Sequence, residues 1–186
     1  TDAAMLSTGA KLVLASNTKN LVAGDIASGT KYMATADATF ASDLSAISEL
    51  PSTAVVLTLG GTSGQWTLAN SSGTLLGASA VKNLVWGSGT TTWTISIDSD
   101  NNATISSTNA SCGRILHNVS SPRFLNYTTA TSATMLLPQL YMEMGGVSTF
   151  YTTEFNSTCT HSTWNEGDVL TPATCTEAGE KTFTCA

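Results

Sequence analysis

The chain has 186 residues, with 7 Lys and Arg against 13 Asp and Glu, a net charge of −6 and a pI near 4.6. So acidic and Lys-poor a chain carries neither the basic stripe that a nucleic-acid partner demands nor a polybasic handle for anionic lipid. No apolar run approaches the ~18 residues needed to span a bilayer, so neither nucleic-acid binding nor membrane insertion is expected. Charged residues reach only 11% while hydrophobic residues reach 41%, enough for a core. Ser and Thr fill about 30% of the chain. With short Val, Ile and Leu runs and few strong helix formers, that balance favours strands. The class read from composition is all-β.

After a lead-in from Thr1 to Ala10, Ala10–Ala15 reads as the first strand, ended by a turn at Asn17–Asn20. Leu21–Ala23 is the second. A glycine hairpin follows, Ser28-Gly29-Thr30-Lys31-Tyr32-Met33, leading to Phe40. Asp43–Leu50 spaces Leu44, Ile47 and Leu50 as a helix would, and reads as a connecting loop with one helical turn, closed by Pro51. Ala54–Gly60 and Thr92–Asp98 alternate apolar and polar residues, placing Val55, Leu57 and Leu59, then Trp93, Ile95 and Ile97, on a core face with water on the other. Gln65–Leu68 and Asn102–Ile105 read as the strands that follow them, with Leu68 and Ile105 equivalent. The run Met135–Met142 is expected to return beside the first strand.

The glycine hairpin recurs as Ser72-Gly73-Thr74-Leu75-Leu76 before Leu84, and as Cys112-Gly113-Arg114-Ile115-Leu116 before Phe124. Gly29 to Gly73 and Phe40 to Leu84 are both 44 residues; Gly73 to Gly113 and Leu84 to Phe124 are both 40. A period of that size marks a repeat architecture. Three units of about four short strands each, none able to bury its apolar face alone, predict a β-trefoil-like closed barrel over residues 1–144, with another closed β-barrel as the alternative. Residues 145–158, with Gly145 and Gly146, read as a linker. Residues 159–186 hold three of the four cysteines and read as a small β-ribbon.

Two resemblances follow from particular stretches. Residues 9–143 are similar to a β-rich accessory module of secreted and surface-anchored proteins from gut Bacteroidetes and Firmicutes, through AVVLTLGGTSGQWTL (54–68), TTWTISI (91–97), GRILHN (113–118), SPRFLNY (121–127) and LLPQLYM (136–142). Such modules stand beside nucleases, phosphatases or other hydrolases, and the resemblance carries no catalytic residue to this chain. Residues 159–186 resemble a repeat of clostridial surface proteins, matched at His161, Trp164, Gly167, Cys175, Gly179 and Cys185, with that repeat's final cysteine absent. Both imply a piece of a longer exported bacterial protein, extracellular or at the cell surface; any leader peptide is expected to have been removed.

Cys159, His161, Cys175 and Cys185 form a nominal zinc-ligand set, but no close Cys-x₂-Cys pair survives; a Cys175–Cys185 disulfide is the preferred reading and free thiols a third. No other cofactor is expected. Cys112 reads as a buried free thiol. His117 reads as structural, since no serine stands in a Gly-x-Ser-x-Gly elbow. Asp98–Asn102 is calcium-loop-like, but Ala103 and Asn109 stand where that loop needs Gly and Glu, leaving a polar turn. Trp66 and Trp93 read as core. The remaining candidates are Trp86, Asn126 and Tyr127, at equivalent ends of the second and third repeats, where an exposed ring stacks on a sugar and an amide meets its hydroxyls. The expectation is a non-catalytic binding domain for a glycan or a surface protein. A fragment of a secreted hydrolase and a purely structural spacer are the alternatives.

Overall fold

The structure, a computed structural model, describes residues 6–143, 150–152, 164–171 and 180–185. The chain divides into two compact units, Thr1–Phe155 and Asn156–Ala186. Among the described residues there is no α-helix, only strands and two short 3₁₀ turns.

In chain order the first unit runs β1 (Lys11–Ser16), β2 (Leu21–Ala23), β3 (Thr35–Asp37), β4 (Thr39–Phe40), β5 (Ala46–Glu49), β6 (Leu57–Thr62), β7 (Gln65–Ala69) and β8 (Leu76–Ala80). It continues with β9 (Asn83–Trp86), β10 (Trp93–Ile97), β11 (Ala103–Ser107), β12 (Arg114–Asn118), β13 (Arg123–Tyr127), β14 (Met135–Leu136), β15 (Gln139–Glu143) and β16 (Phe150–Thr152). All pairing is antiparallel. One large sheet follows the path β13-β12-β11-β10-β7-β6-β1-β15-β16-β5-β4, while β8 and β9 form a separate two-stranded ribbon. The ladders trace this path without closing into a ring. In the second unit β17 (Trp164–Thr171) pairs with β18 (Glu180–Cys185) as a two-stranded ribbon, Trp164 opposite Cys185.

The alternating strands bury the faces expected of them. Leu57 and Leu59 of β6 and Trp93 and Ile97 of β10 enter one core with Leu68 and Ile105. Trp66 and Trp93 face each other across the β7–β10 pair, and Trp93 Nε1 donates to the Leu76 carbonyl at 3.0 Å, giving the buried indole the acceptor it needs. The late apolar run does return beside the first strand: β15 pairs with β1, Leu12 opposite Met142 and Leu14 opposite Leu140.

β1 is buried on both faces: Leu12 and Leu14 enter the main core, while Val13 and Ala15 enter a second cluster with Val22, Ile47 and Tyr141. Three readings need correction. Asp43–Leu50 contains no helical turn but β5, paired to β4 and β16. Leu44 sits at φ +59°, outside helical space, and its carbonyl accepts the Tyr141 hydroxyl at 2.6 Å. Phe40 is not the counterpart of Leu84 and Phe124; it lies in β4 and packs edge-on against Tyr141, ring centroids 5.3 Å apart. Met33, and not Phe40, lies beside Phe124, exchanging two backbone hydrogen bonds with it, each 3.0 Å. Within the expected linker, Phe150–Thr152 form β16, which pairs the outer side of β15 and so satisfies backbone groups an edge would leave open.

Candidate functional site: a basin at the three hairpins

The three hairpin glycines share a positive φ. Gly29, Gly73 and Gly113 have φ of +79°, +77° and +75°. That region is cheap only for glycine, which is why the sequence period places glycine there three times. Each glycine opens one hairpin segment, and main-chain hydrogen bonds tie the three together. Leu84 N–H donates to the Lys31 carbonyl at 2.8 Å, Lys82 N–H donates to the Asn126 carbonyl at 2.9 Å, and Met33 pairs with Phe124. The face they form is thus cross-linked from all three hairpins.

Asn126 is one of those cross-links. It is 0% exposed. Its Nδ2 donates to the carbonyls of Ala80 and Cys112, both at 2.7 Å, and its Oδ1 accepts from Asn83 N–H at 2.9 Å. The amide is committed to joining the second and third hairpins, and no part of it faces a ligand. Trp86 is half-buried against the main core, and its Nε1 donates to Asp25 Oδ1 at 2.8 Å. Tyr127 is 5% exposed, so it offers an edge and a hydroxyl rather than an open ring face. Its hydroxyl accepts from Asn118 Nδ2 at 3.2 Å. The structure therefore does not gather Trp86, Asn126 and Tyr127 into one sugar platform.

Tyr127 instead lines a basin of about 450 Å³ with Lys31, Tyr32, Lys82, Asn118 and Arg123. No Asp or Glu lines it. Arg123 lies over the Tyr32 ring, 4.6 Å from its centroid, and is held by the Ser121 carbonyl (3.0 Å from Nε) and hydroxyl. Lys82 Nζ stands 6.0 Å from the Tyr127 ring centroid. The three cations were not singled out from sequence. The available signal was their position: with only 7 Lys and Arg in the chain, Lys31, Lys82 and Arg123 each fall inside a different repeat hairpin.

A second, open groove of about 570 Å³ runs past Asp25, Thr35, Ser52, Thr53 and Asn70. Asp25 Oδ1 is held by Ile26 N–H and Trp86, and Asn70 Oδ1 caps its own turn by accepting from Ser72 and Thr74 N–H. Asp25 Oδ1 and Asn70 Oδ1 are thus already engaged within the protein, and no aromatic ring lines the groove.

Other sequence candidates are placed as follows. His117 Nδ1 and Ser16 Oγ share a hydrogen bond of 2.9 Å, with the two residues 1% and 2% exposed. Burial, then the Lys19 charge, lowers the His117 pKa below its ordinary value. Its Nε2 has no hydrogen-bond partner among the described residues, so no carboxylate orients the ring as a triad requires. Asp98 folds a polar turn between β10 and β11, accepting from Asp100 and Asn102 N–H at 3.0 and 2.9 Å. Cys112 is a buried free thiol donating to the Ala78 carbonyl at 3.5 Å. Cys159, His161 and Cys175 lie outside the described residues; Cys185 ends β18. The chain matches no protein-family model and no curated protein sequence.

Proposed function

We propose that the chain is a non-catalytic binding module of an exported bacterial multi-domain protein, and that its first unit engages a surface glycan through the face formed by the three hairpins. The observation that carries this reading is the basin itself: side chains from three separate repeats converge on one concavity, and the hairpins that bear them are pinned by backbone hydrogen bonds. The likeness of residues 9–143 to accessory modules of secreted and surface proteins points the same way.

We read the first unit as a β-trefoil-like barrel of six strands, β1, β6, β7, β10, β11 and β15, capped by three hairpins. Five of the six neighbour pairs are ladders: β15–β1, β1–β6, β6–β7, β7–β10 and β10–β11. The sixth gap, between β11 and β15, has the bridge Asn102–Gln139, the Ala103 N–H bond to the Pro138 carbonyl at 2.7 Å, and Gln139 Nε2 donating to Asn102 Oδ1 at 2.8 Å. In this reading β1, β7 and β11 are counterparts, as are β15, β6 and β10. β1 and β6 are then hydrogen-bonded neighbours and not counterparts, with Leu12 opposite Leu57.

A glycan array probed with the 186-residue chain tests the binding reading. Retention on a chemically coherent group of glycans is the expected result. Silence across the array, with the domain folded by circular dichroism, would overturn it in favour of a spacer.

A further inference from the structure

We propose that the hairpin basin binds an oxyanion, the sulfate or carboxylate group of an acidic saccharide. This rests on the reading of the first unit as a glycan-binding module and names the ligand class that module takes.

In a chain of net charge −6, three of only 7 basic side chains meet in one concavity that no Asp or Glu lines. The ion pair found among the described residues is Lys11 with Glu143 at 3.2 Å, so Lys31, Lys82 and Arg123 have no carboxylate partner there. Gathering like charges costs free energy unless an anion joins them.

Hydrogen-bond chemistry sharpens the class. The Tyr127 hydroxyl, on a residue 95% buried, already accepts from Asn118, and its own proton has no acceptor among the described residues. Arg123 uses Nε and one Nη2 hydrogen on Ser121, which holds the guanidinium plane over Tyr32 and leaves its other N–H groups to point elsewhere. Two ammonium groups, a guanidinium and a phenolic proton are all donors. A tetrahedral sulfate or a planar carboxylate supplies the acceptors they lack, through short charge-assisted bonds.

Size and shape favour a saccharide over a nucleic acid. About 450 Å³ is the scale of a small-ligand pocket, and the cations do not extend into a stripe that could track a phosphate backbone. Both aromatic rings at the basin are also closed to base stacking: Arg123 covers Tyr32, and Tyr127 is buried. The three hairpins are tied before any ligand arrives, so binding costs little ordering.

The test uses calorimetry on the 186-residue chain with four probes: a chondroitin sulfate hexasaccharide, its desulfated and carboxyl-reduced counterpart, inorganic sulfate, and a single-stranded oligonucleotide. The hexasaccharide should bind, weaken as salt rises, and be displaced by high inorganic sulfate. Lys31→Gln and Lys82→Gln should each weaken it about tenfold. Both side chains are exposed, and the one contact given for either beyond its backbone is Lys82 Nζ at 6.0 Å from the Tyr127 ring centroid; Lys19→Gln, away from the basin, should change nothing. Equal binding of the neutral counterpart would overturn the oxyanion assignment while leaving the glycan-binding reading standing. Failure of both saccharides would overturn the two together. Binding of the oligonucleotide at least as tightly, with the same loss in the Lys variants, would replace the saccharide with a nucleic acid. Hexasaccharide binding unchanged in the variants would remove it from this basin.

Discussion

At the scale of single residues, the buried polar groups of this domain hold the structure and set its response to pH. His117 is sealed beside Ser16 and Phe124, and burial lowers its pKa below the ordinary 6.5. In the unfolded chain it takes a proton as pH falls through that ordinary value, while in the folded chain it stays neutral until lower pH. The unfolded state then binds more protons, so stability falls between pH 6.5 and the lowered pKa, by up to about 1.4 kcal/mol per pH unit. Above pH 6.5 both states are neutral there and the residue adds no slope. Urea unfolding from pH 7.5 to 5 should show this loss, and His117→Gln should flatten it; an unchanged slope in that variant would place its origin elsewhere. Asn126 is the other residue with such reach. Asn126→Ala takes from the buried Cys112 carbonyl, the part-buried Ala80 carbonyl and the Asn83 N–H their shared partner, a cost of about 3 kcal/mol. Chemical denaturation should register it as a lower midpoint with unchanged slope.

At the scale of elements, the glycine turns and the short strands show how far local sequence carries. The turns were legible because a positive φ demands glycine and a period repeats it. Their energetic weights should differ all the same. A Cβ at Gly73 meets nothing within 4 Å, whereas one at Gly113 collides with the Tyr127 carbonyl. Gly73→Ala should therefore cost about 1 kcal/mol from backbone strain alone, and Gly113→Ala roughly twice that or more. Equal losses in thermal unfolding of the two variants would contradict the geometry. What sequence could not supply was the second cluster. Phe40 matched Leu84 and Phe124 in spacing, yet spacing cannot say which core a residue enters. Ile47 mimicked a helical position because one buried residue between Leu44 and Leu50 satisfies two periodicities. Only the tertiary cover from Tyr141 and β16 makes Asp43–Leu50 the site of a strand. The same cover buries the outer side of β1, which alternation alone assigns to water.

At the scale of the whole molecule, the all-β class and the return of β15 to β1 followed from composition and from the late apolar run. The candidate site was legible in part. Tyr127 was found because it ends a repeat, and Asn126 was found for the same reason, although its amide belongs to the fold. Lys31, Lys82 and Arg123 escaped because charge is read along a chain, and their meeting depends on three hairpins folding onto one face. Closure of the proposed barrel gives a direct physical consequence. The Ala103 amide, bonded to the Pro138 carbonyl across the last gap, should exchange with solvent only as slowly as the central strands do, and exchange at the rate of a loop would contradict closure.

The claim on which the functional account turns is that the three-hairpin basin, lined by Lys31, Lys82, Arg123 and Tyr127, is the binding face. Titrating the ¹⁵N-labelled 186-residue chain with the chondroitin sulfate hexasaccharide tests it most directly. Amide shifts should concentrate at residues 29–32, 82–84 and 118–127, with the rest of the spectrum unmoved. Shifts concentrated instead along the groove at Asp25, Thr53 and Asn70, or spread evenly over the surface, would contradict it.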